Sequence, residues 1–506
     1  MGLGRRQNAG VLALISFDAP SAPLLDRLCS EGVLPRLTEL RATAATVPLS
    51  TPASHFPAGA YPTVWSGESL ETHGLHYPFM WDAPSQRIRP ADSFPAPPAI
   101  WESIAKVGGR SFVVDPYEAR RPATVEGLCL NGWQFRNRVV LRPWSSPADA
   151  RRKLERRFGR APAGEEIFGE PDPRRLRQLA VTLERAPARL AHLVEEMTGR
   201  VRPDLVACAL SAVHLAGHQL TDPSAVLGKI DEASRRDLDG ALERVYVAAD
   251  RALGRIIDAL PPGSDVIVFA VHGMTTESAR TDLLAEMLRA VISGVPARDA
   301  GARQAWRFRA TVPSSLRARV ADLLPDSVAT ELAARVELRG VDWATTPAFV
   351  VPSDSHGFIR FNLRGRERSG VVEPDSVSEL VEQIREGLES FTLESGEPAV
   401  TAVDATSSAA GAGGEPSPLL PDLVVRWSEL PTRRGERLVS DRFGSVRRAG
   451  AGSGRSGNHN DDAWALLVPG AGRVRERAGG DIRDIAATAL ARFGIACDGE
   501  PLLDAA

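Results

Sequence analysis

Runs of apolar residues alternate along the chain with segments whose apolar positions recur every three or four residues. "VLALISF", ending at Phe17, carries one serine among apolar residues and predicts a strand covered on both faces. "PLLDRLCSEGVLPRLTELRA" then takes helical spacing. "AIWESIAKVG" predicts a helix and "RSFVVD" a strand. "RRLRQLAVTLERAPARLAHLVEEMT" is a long amphipathic helix, with Arg and Glu on its wet face. "DLVACAL" predicts a second buried strand, "DLDGALERVYVAADRALGRIIDAL" a helix and "DVIVFAVHG" a further strand. This alternation implies the α/β class: a mostly parallel sheet flanked by helices on both faces.

In such sheets ligands gather at the carboxyl ends of the strands. Asp18 follows "VLALISF", His214 and His218 follow "DLVACAL", and His272 follows "DVIVFAV". Three strands thus deliver polar side chains to one end, and they converge if the strands are neighbours. Past residue 280 the pattern changes. Residues 280–345 are Arg-rich and punctuated by proline, which predicts a helical insertion or cap inside a single domain spanning 1–506. "GFIRFNL" and "PDLVVRW" resume strand character, and "TSSAAGAGGEPSPL", 406–419, reads as a flexible surface loop. "RRAGAGSGRSGNHNDDAWALLVPG" is a Gly-rich loop that carries His459 into a last strand.

Bulk properties narrow the function. The 506 residues are 43% hydrophobic, enough for a large core, and the net charge of −3 lacks the basic excess of a nucleic-acid binder. "VLALISF" is too short to span a bilayer and no other run approaches that length, so no membrane association is expected. The four cysteines, Cys29, Cys129, Cys208 and Cys497, are too far apart for a CxxC motif. So sparse a set suits a reducing compartment and predicts a cytoplasmic protein. Cys208 reads as a buried strand residue.

The chemistry rests on histidine, of which there are nine. His214 and His218 share one face if the chain turns helical there, and neutral imidazole suits zinc and similar ions. The same spacing occurs in the HExxH zinc motif, but its glutamate is missing here.

Six motifs in order resemble the alkaline phosphatase superfamily, in its type I phosphodiesterase/nucleotide pyrophosphatase and predicted phosphohydrolase/phosphomutase branches. They are the strand ending in Asp18, "YPTVWSGESLETHGL" with Ser66-Gly67 and His73-Gly74, "HLAGH", "VHGM", "HGFIRFNLRGRERSGVVEP" and "SGNHNDDAWALLVPG". "LPRLTELRATA" is similar to the segment leading toward that family's nucleophile. The resemblance implies two metal ions, usually zinc, about 4 Å apart, that clamp a phosphoryl or sulfuryl group. By position, one ion falls to His214, His218 and His459, and the other to Asp18, a nucleophile slot, Val271 and His272.

The chain departs from the pattern in three places. His214 stands where the family has Asp, which leaves a good three-imidazole site. Val271 also replaces an Asp and cannot ligate. Counted back without gaps, the nucleophile slot falls on Pro57; a shifted register offers His55 or Ser54, with Thr51 more distant. One zinc ion is therefore expected, rather than two. An ion with an open position would lower the pKa of bound water and dispense with a serine or threonine nucleophile. Asp18 and His272 would then ligate the same ion, act as acid or base, or orient substrate.

The function expected is metal-dependent hydrolysis or transfer at a phosphate (diester) or sulfate ester of a small anionic molecule. The candidate residues are Ser54 and His55 for catalysis, His356 for substrate, and Asp18, His214, His218, His272 and His459 for metal. Two alternatives stand beside it: a catalytically silent member that binds a ligand or partner, and an enzyme recruited to non-hydrolytic chemistry in specialised metabolism. His73 reads as packing the turn after its helix. Arg360, Arg364 and Arg366 read as surface or ion-paired, and the arginines of 302–319 as a solvated face.

Overall fold

The computed structural model describes residues 10–135, 143–162, 166–167, 169, 171–228, 230–301, 342–406 and 418–504. A nine-stranded sheet is built from β1 (Leu12–Ser16), β2 (Ala45–Ser50), β3 (Ser111–Val114), β4 (Gly127–Leu130), β5 (Ser145–Ser146), β6 (Leu205–Ala209), β7 (Asp265–Ala270), β8 (Trp464–Val468) and β9 (Gly480–Asp481). Their order in the sheet is β9-β2-β8-β7-β1-β6-β3-β4-β5. The centre, β7-β1-β6-β3-β4, is parallel. β8 runs antiparallel between β2 and β7, and β5 runs antiparallel at the far edge.

β1, β6 and β7 are buried along their whole length because alternate side chains enter two different cores. Ala13, Ile15, Val206, Cys208, Val266 and Val268 pack with the helices Ala22–Ser30, Pro35–Thr43, Pro173–Val201 and Ala241–Asp258. Leu12, Leu14, Leu205, Ala207, Ile267 and Phe269 face the other way, toward Ala60–Ser66, Ile100–Lys106 and Arg483–Ala491. The expected α/β architecture is therefore present, and Cys208 is buried as read. All four cysteines are free. Among the described residues, no helix is long and apolar enough to cross a membrane.

Within the expected 1–506 domain, the region past residue 279 has a core of its own. The helices Thr281–Ser293 and Val377–Glu389 pack together beside an antiparallel sheet ordered Ala348–Val351, Gly357–Phe361, Leu423–Trp427, Val400–Ala405. "GFIRFNL" and "PDLVVRW" thus pair with each other. Of the expected insertion, 280–345, the structure describes the helix Thr281–Ser293 and the strand Ala297–Gly301, while 302–341 lies outside the described residues, as do 407–417 of the expected loop. Arg360 is fully buried against Glu367 at 2.9 Å, and Arg366 grips Asp422 at 2.7 Å. Arg364 stays exposed, 2.7 Å from Glu373.

Candidate metal centre

The parallel strands end on one side of the sheet, and each hands on a reactive side chain. Asp18 leaves β1 two residues after Ser16. β6 runs into the helix Ala212–Leu220, whose first and second turns carry His214 and His218. His272 lies two residues past the end of β7, after Val271, and the chain then forms the strand Gly273–Thr276. That strand pairs antiparallel with Gly457–Asn460, Met274 opposite His459, so a residue from near the chain's end arrives beside His272.

Two glycines permit this approach. A Cβ on Gly457 would lie 2.2 Å from the Gly217 carbonyl oxygen, and one on Gly217 would lie 2.8 Å from Met274 Cε. The glycines of "HLAGH" and "SGNH" therefore let strand and helix touch at backbone distance.

Four imidazoles converge. Ring centroids lie 4.2 Å apart for His272 and His459, 4.6 Å for His218 and His459, 4.7 Å for His214 and His459, and 4.8 Å for His214 and His218. Ligand atoms of His214, His272 and His459 all fall within 4.8 Å of one another. His214 Nε2 and His218 Nε2 are 3.0 Å apart. Two nitrogens bound to one tetrahedral zinc at 2.0–2.1 Å sit about 3.3 Å apart, so this pair already has nearly the spacing an ion requires.

The outer nitrogens fix the tautomers. His214 Nδ1 faces Asp18 Oδ2 at 3.1 Å, His218 Nδ1 the Gly457 carbonyl at 2.8 Å, and His459 Nδ1 the Gly273 carbonyl at 3.3 Å. Each of these partners is an acceptor, so each Nδ1 carries the proton and each Nε2 keeps its lone pair. Facing lone pairs repel unless a cation lies among them. Metal-bound histidines show this same anchoring of the second nitrogen, and the donor set fits a divalent ion such as zinc. His272 Nδ1 is buried and has no hydrogen-bond partner.

Asp18 is fully buried, and both of its oxygens are engaged. Tyr61 donates its hydroxyl to Oδ1 at 2.6 Å, and Ser16 Oγ lies 2.7 Å from the same phenol oxygen. Burial alone would raise the Asp18 pKa, but His214, His272 and the Tyr61 hydroxyl together hold it below the usual carboxylate value. Burial also lowers the His272 pKa to about 4, and burial plus three neighbouring imidazoles push His459 well below 6.5. These two rings are neutral at pH 7, the state in which imidazole ligates.

The cluster lines a small, partly open cleft walled by Pro57, His76, Tyr117, His356, Phe358 and Arg455 among others. Six of the nine histidines line it: His76, His214, His218, His272, His356 and His459. Tyr117 lies over His214, centroids 4.6 Å apart. His356 Nδ1 is buried without a partner, and burial lowers the ring's pKa to about 4. Arg455 is held by Glu166 and by Asp354 at 3.2 Å, and Tyr77 donates to Asp354 at 2.6 Å.

Ser54 and His55 are not among the cleft-lining residues; Ser54 Oγ bonds His55 Nδ1, and His55 Nε2 meets Asp404. His73 is buried, 3.0 Å from Thr63 Oγ1, the packing role read for it. Sequence reasoning missed Tyr61, Tyr117, Asp404 and Arg455. Arg455 had one available signal, its place four residues before His459 in the Gly-rich loop; the others had none in the local sequence.

A family model described as type I phosphodiesterase / nucleotide pyrophosphatase matches residues 12–428. No curated protein is significantly similar in sequence. Similar solved structures include phosphonoacetate hydrolase from Sinorhizobium meliloti 1021 in complex with phosphonoformate, at 15% identity, 95% coverage of each chain and TM-score 0.47. Murine ectonucleotide pyrophosphatase / phosphodiesterase 5 in complex with AMP matches at 11% identity, covering 98% of this chain and 100% of its own, with TM-score 0.47.

Proposed function

The chain belongs to the type I phosphodiesterase / nucleotide pyrophosphatase family, a family of phosphoester hydrolases, and we propose that it hydrolyses a phosphate ester of a small molecule, a diester first, with one divalent ion held by its histidine cluster. Zinc is the ion proposed, with His214, His218 and His459 as its ligands and His272 beside them. One observation carries the reading: three imidazoles from distant parts of the chain each anchor Nδ1 on an acceptor, with His214 Nε2 3.0 Å from His218 Nε2 and the His459 ring within 4.7 Å of both. An ion there supplies Lewis-acid neutralisation of phosphoryl charge.

The chain's own groups do the rest. Asp18 orients His214 and, through Tyr61, is itself oriented. His272 Nδ1 and His356 Nδ1, both buried and unpartnered, offer hydrogen bonds to a substrate in the cleft. Tyr117 and Phe358 line its sides with aromatic surface. The test is zinc content together with turnover of bis-p-nitrophenyl phosphate. One zinc per chain with turnover, both lost in His214→Ala, supports the reading; turnover unchanged in a zinc-free chain overturns it.

A second reading, a member that binds without hydrolysing, is favoured by Val271, a fully buried aliphatic residue that gives a second ion no ligand. Zinc binding without turnover of any phosphate ester would select it.

A further inference from the structure

Of the six histidines that line the cleft, four form the metal cluster. The fifth, His76, donates Nδ1–H to the Gly74 carbonyl at 3.0 Å, and its ring packs edge-on against Phe56 and Phe358, centroids 5.9 and 5.6 Å away. The sixth is His356, whose Nδ1 is buried without a hydrogen-bond partner.

The backbone is fixed on both sides of His356. Two residues before it, Asp354 accepts from Tyr77 at 2.6 Å and pairs with Arg455 at 3.2 Å. Gly357 follows it, where a Cβ would lie 2.5 Å from Leu284 Cδ2 and 3.0 Å from Val425 Cβ. The strand Gly357–Phe361 therefore starts close against the helix Thr281–Ser293 and the strand Leu423–Trp427. Phe358 then packs on Phe56, centroids 5.3 Å apart. A ring carried between such anchors keeps its place in the cleft wall.

Two features of the cleft bear on what attacks phosphorus. Val271 is fully buried and gives a second ion no ligand. Pro57, where the ungapped count puts the nucleophile, lines the cleft with a ring that carries no hydroxyl. A water molecule attacking in place of a hydroxyl needs a base. The cleft carboxylates Asp354 and Glu118 have partners of their own. His356 offers a nitrogen that no partner occupies. Burial lowers its pKa to about 4, so at pH 7 the ring is neutral and as basic as the carboxylates that enzymes use to abstract protons. The charged and titratable groups around it are His55, Arg426 and Asp404, and the Asp404 carboxylate favours the imidazolium that forms.

We propose that His356 is the general base of the hydrolysis and that water, not a side-chain hydroxyl, attacks phosphorus. The proposal rests on the metal-dependent reading above. Water donates a hydrogen bond to His356 Nδ1. Its oxygen forms the new O–P bond as the P–O bond to the leaving alcohol breaks, and one of its protons passes to His356 Nδ1 and then to solvent. The leaving oxygen takes up one proton from solvent. Ester plus water becomes alcohol plus the shortened phosphate. A single displacement inverts the configuration at phosphorus, whereas a covalent phosphoenzyme requires two and retains it.

The test uses the zinc-loaded full chain. With bis-p-nitrophenyl phosphate, His356→Ala and the space-filling His356→Gln are each expected to lower kcat about a hundredfold to ten-thousandfold, with KM and zinc content held. Added imidazole is expected to restore part of the His356→Ala rate. The stereochemical course is read on the wild-type chain with one phosphorus enantiomer of methyl p-nitrophenyl phosphorothioate in isotopically labelled water, and inversion is expected. Retention overturns the proposal whether or not the variants fold. Wild-type kcat in a folded, zinc-loaded His356→Gln chain, or a His356→Ala loss that imidazole leaves untouched, also overturns this proposal alone. A wild-type chain that takes up no zinc and hydrolyses nothing overturns the metal reading and this proposal with it.

Discussion

Asparagine at position 18 keeps the shape of the carboxylate and removes one acceptor. In the native site Oδ1 accepts from Tyr61 at 2.6 Å and Oδ2 faces His214 Nδ1 at 3.1 Å. Asparagine has one oxygen and one amide nitrogen, so one of the two donors must face an N–H. If the shorter bond to Tyr61 keeps the oxygen, the amide nitrogen turns to His214. The imidazole must then accept at Nδ1, and its proton moves to Nε2. That proton points at His218 Nε2, 3.0 Å away, and closes a hydrogen bond where the ion would sit. Loss of an outer partner costs metal affinity about tenfold to a hundredfold, or about 1.4–2.7 kcal/mol; the tautomer change places Asp18→Asn at the upper end. Zinc titration against a chromophoric chelator measures it, with melting temperature in metal-free buffer as the control for folding. Wild-type zinc affinity in a folded Asp18→Asn chain would refute the orienting role. A loss beyond about a thousandfold, past the range of outer partners, would show instead that the carboxylate binds the ion directly.

His459→Ala removes an imidazole that meets the other three, and zinc measured after dialysis is expected to fall below one-tenth of an ion per chain (on the order of a hundredfold loss of affinity or more), with the metal-free melting temperature nearly unchanged because the side chain is partly exposed. Gly457→Ala places a Cβ 2.2 Å from the Gly217 oxygen and 2.9 Å from the Gly217 carbonyl carbon, backbone atoms that cannot swing aside, with Thr221 Oγ1 also at 2.9 Å. The expected cost is about 1–3 kcal/mol or more, read as a lower melting temperature, together with weaker zinc binding as the Gly457–Asn460 strand lifts off the helix. The buried rings of His73, His76 and His356 have pKa values lowered by burial to about 4 from an ordinary 6.5. The unfolded chain takes up their protons first as pH falls, so stability is intact above pH 6.5 and declines down to pH 4. Each ring contributes about 3 kcal/mol to that decline, at 1.36 kcal/mol per pH unit. Urea midpoints of the metal-free protein at pH 7, 5.5 and 4 check this, and a midpoint that does not fall contradicts the buried neutral state.

The central sheet was legible because β1, β6 and β7 are covered on both faces and so read as unbroken apolar runs. Their ends were legible for the same reason: the first titratable residues after each run, Asp18, His214 and His272, lie where parallel strands stop. The second lobe was not legible. Its strands Gly357–Phe361 and Leu423–Trp427 are short, and the helix and sheet they join lie far apart in sequence, so apolar pattern reveals strands without saying which sheet they enter. At the site, sequence order supplied the four imidazoles and suggested Ser54 and His55, but not the geometry among them. His218 and His459 were expected to share an ion, yet what places them together is two glycines and a strand register, Met274 opposite His459, that spacing alone does not encode. Asp404 illustrates the limit: it meets His55 only because the second lobe folds back over the first.

The account's central claim is that imidazoles from β6, β7 and the Gly457–Asn460 strand surround one cation. X-ray absorption fine structure at the zinc edge, on protein loaded to saturation, tests it most directly. The expected result is one zinc per chain with a first shell at about 2.0–2.1 Å dominated by nitrogen and the outer-shell scattering of three or more imidazole rings. A second zinc about 4 Å away, or a shell made mostly of oxygen, would contradict it.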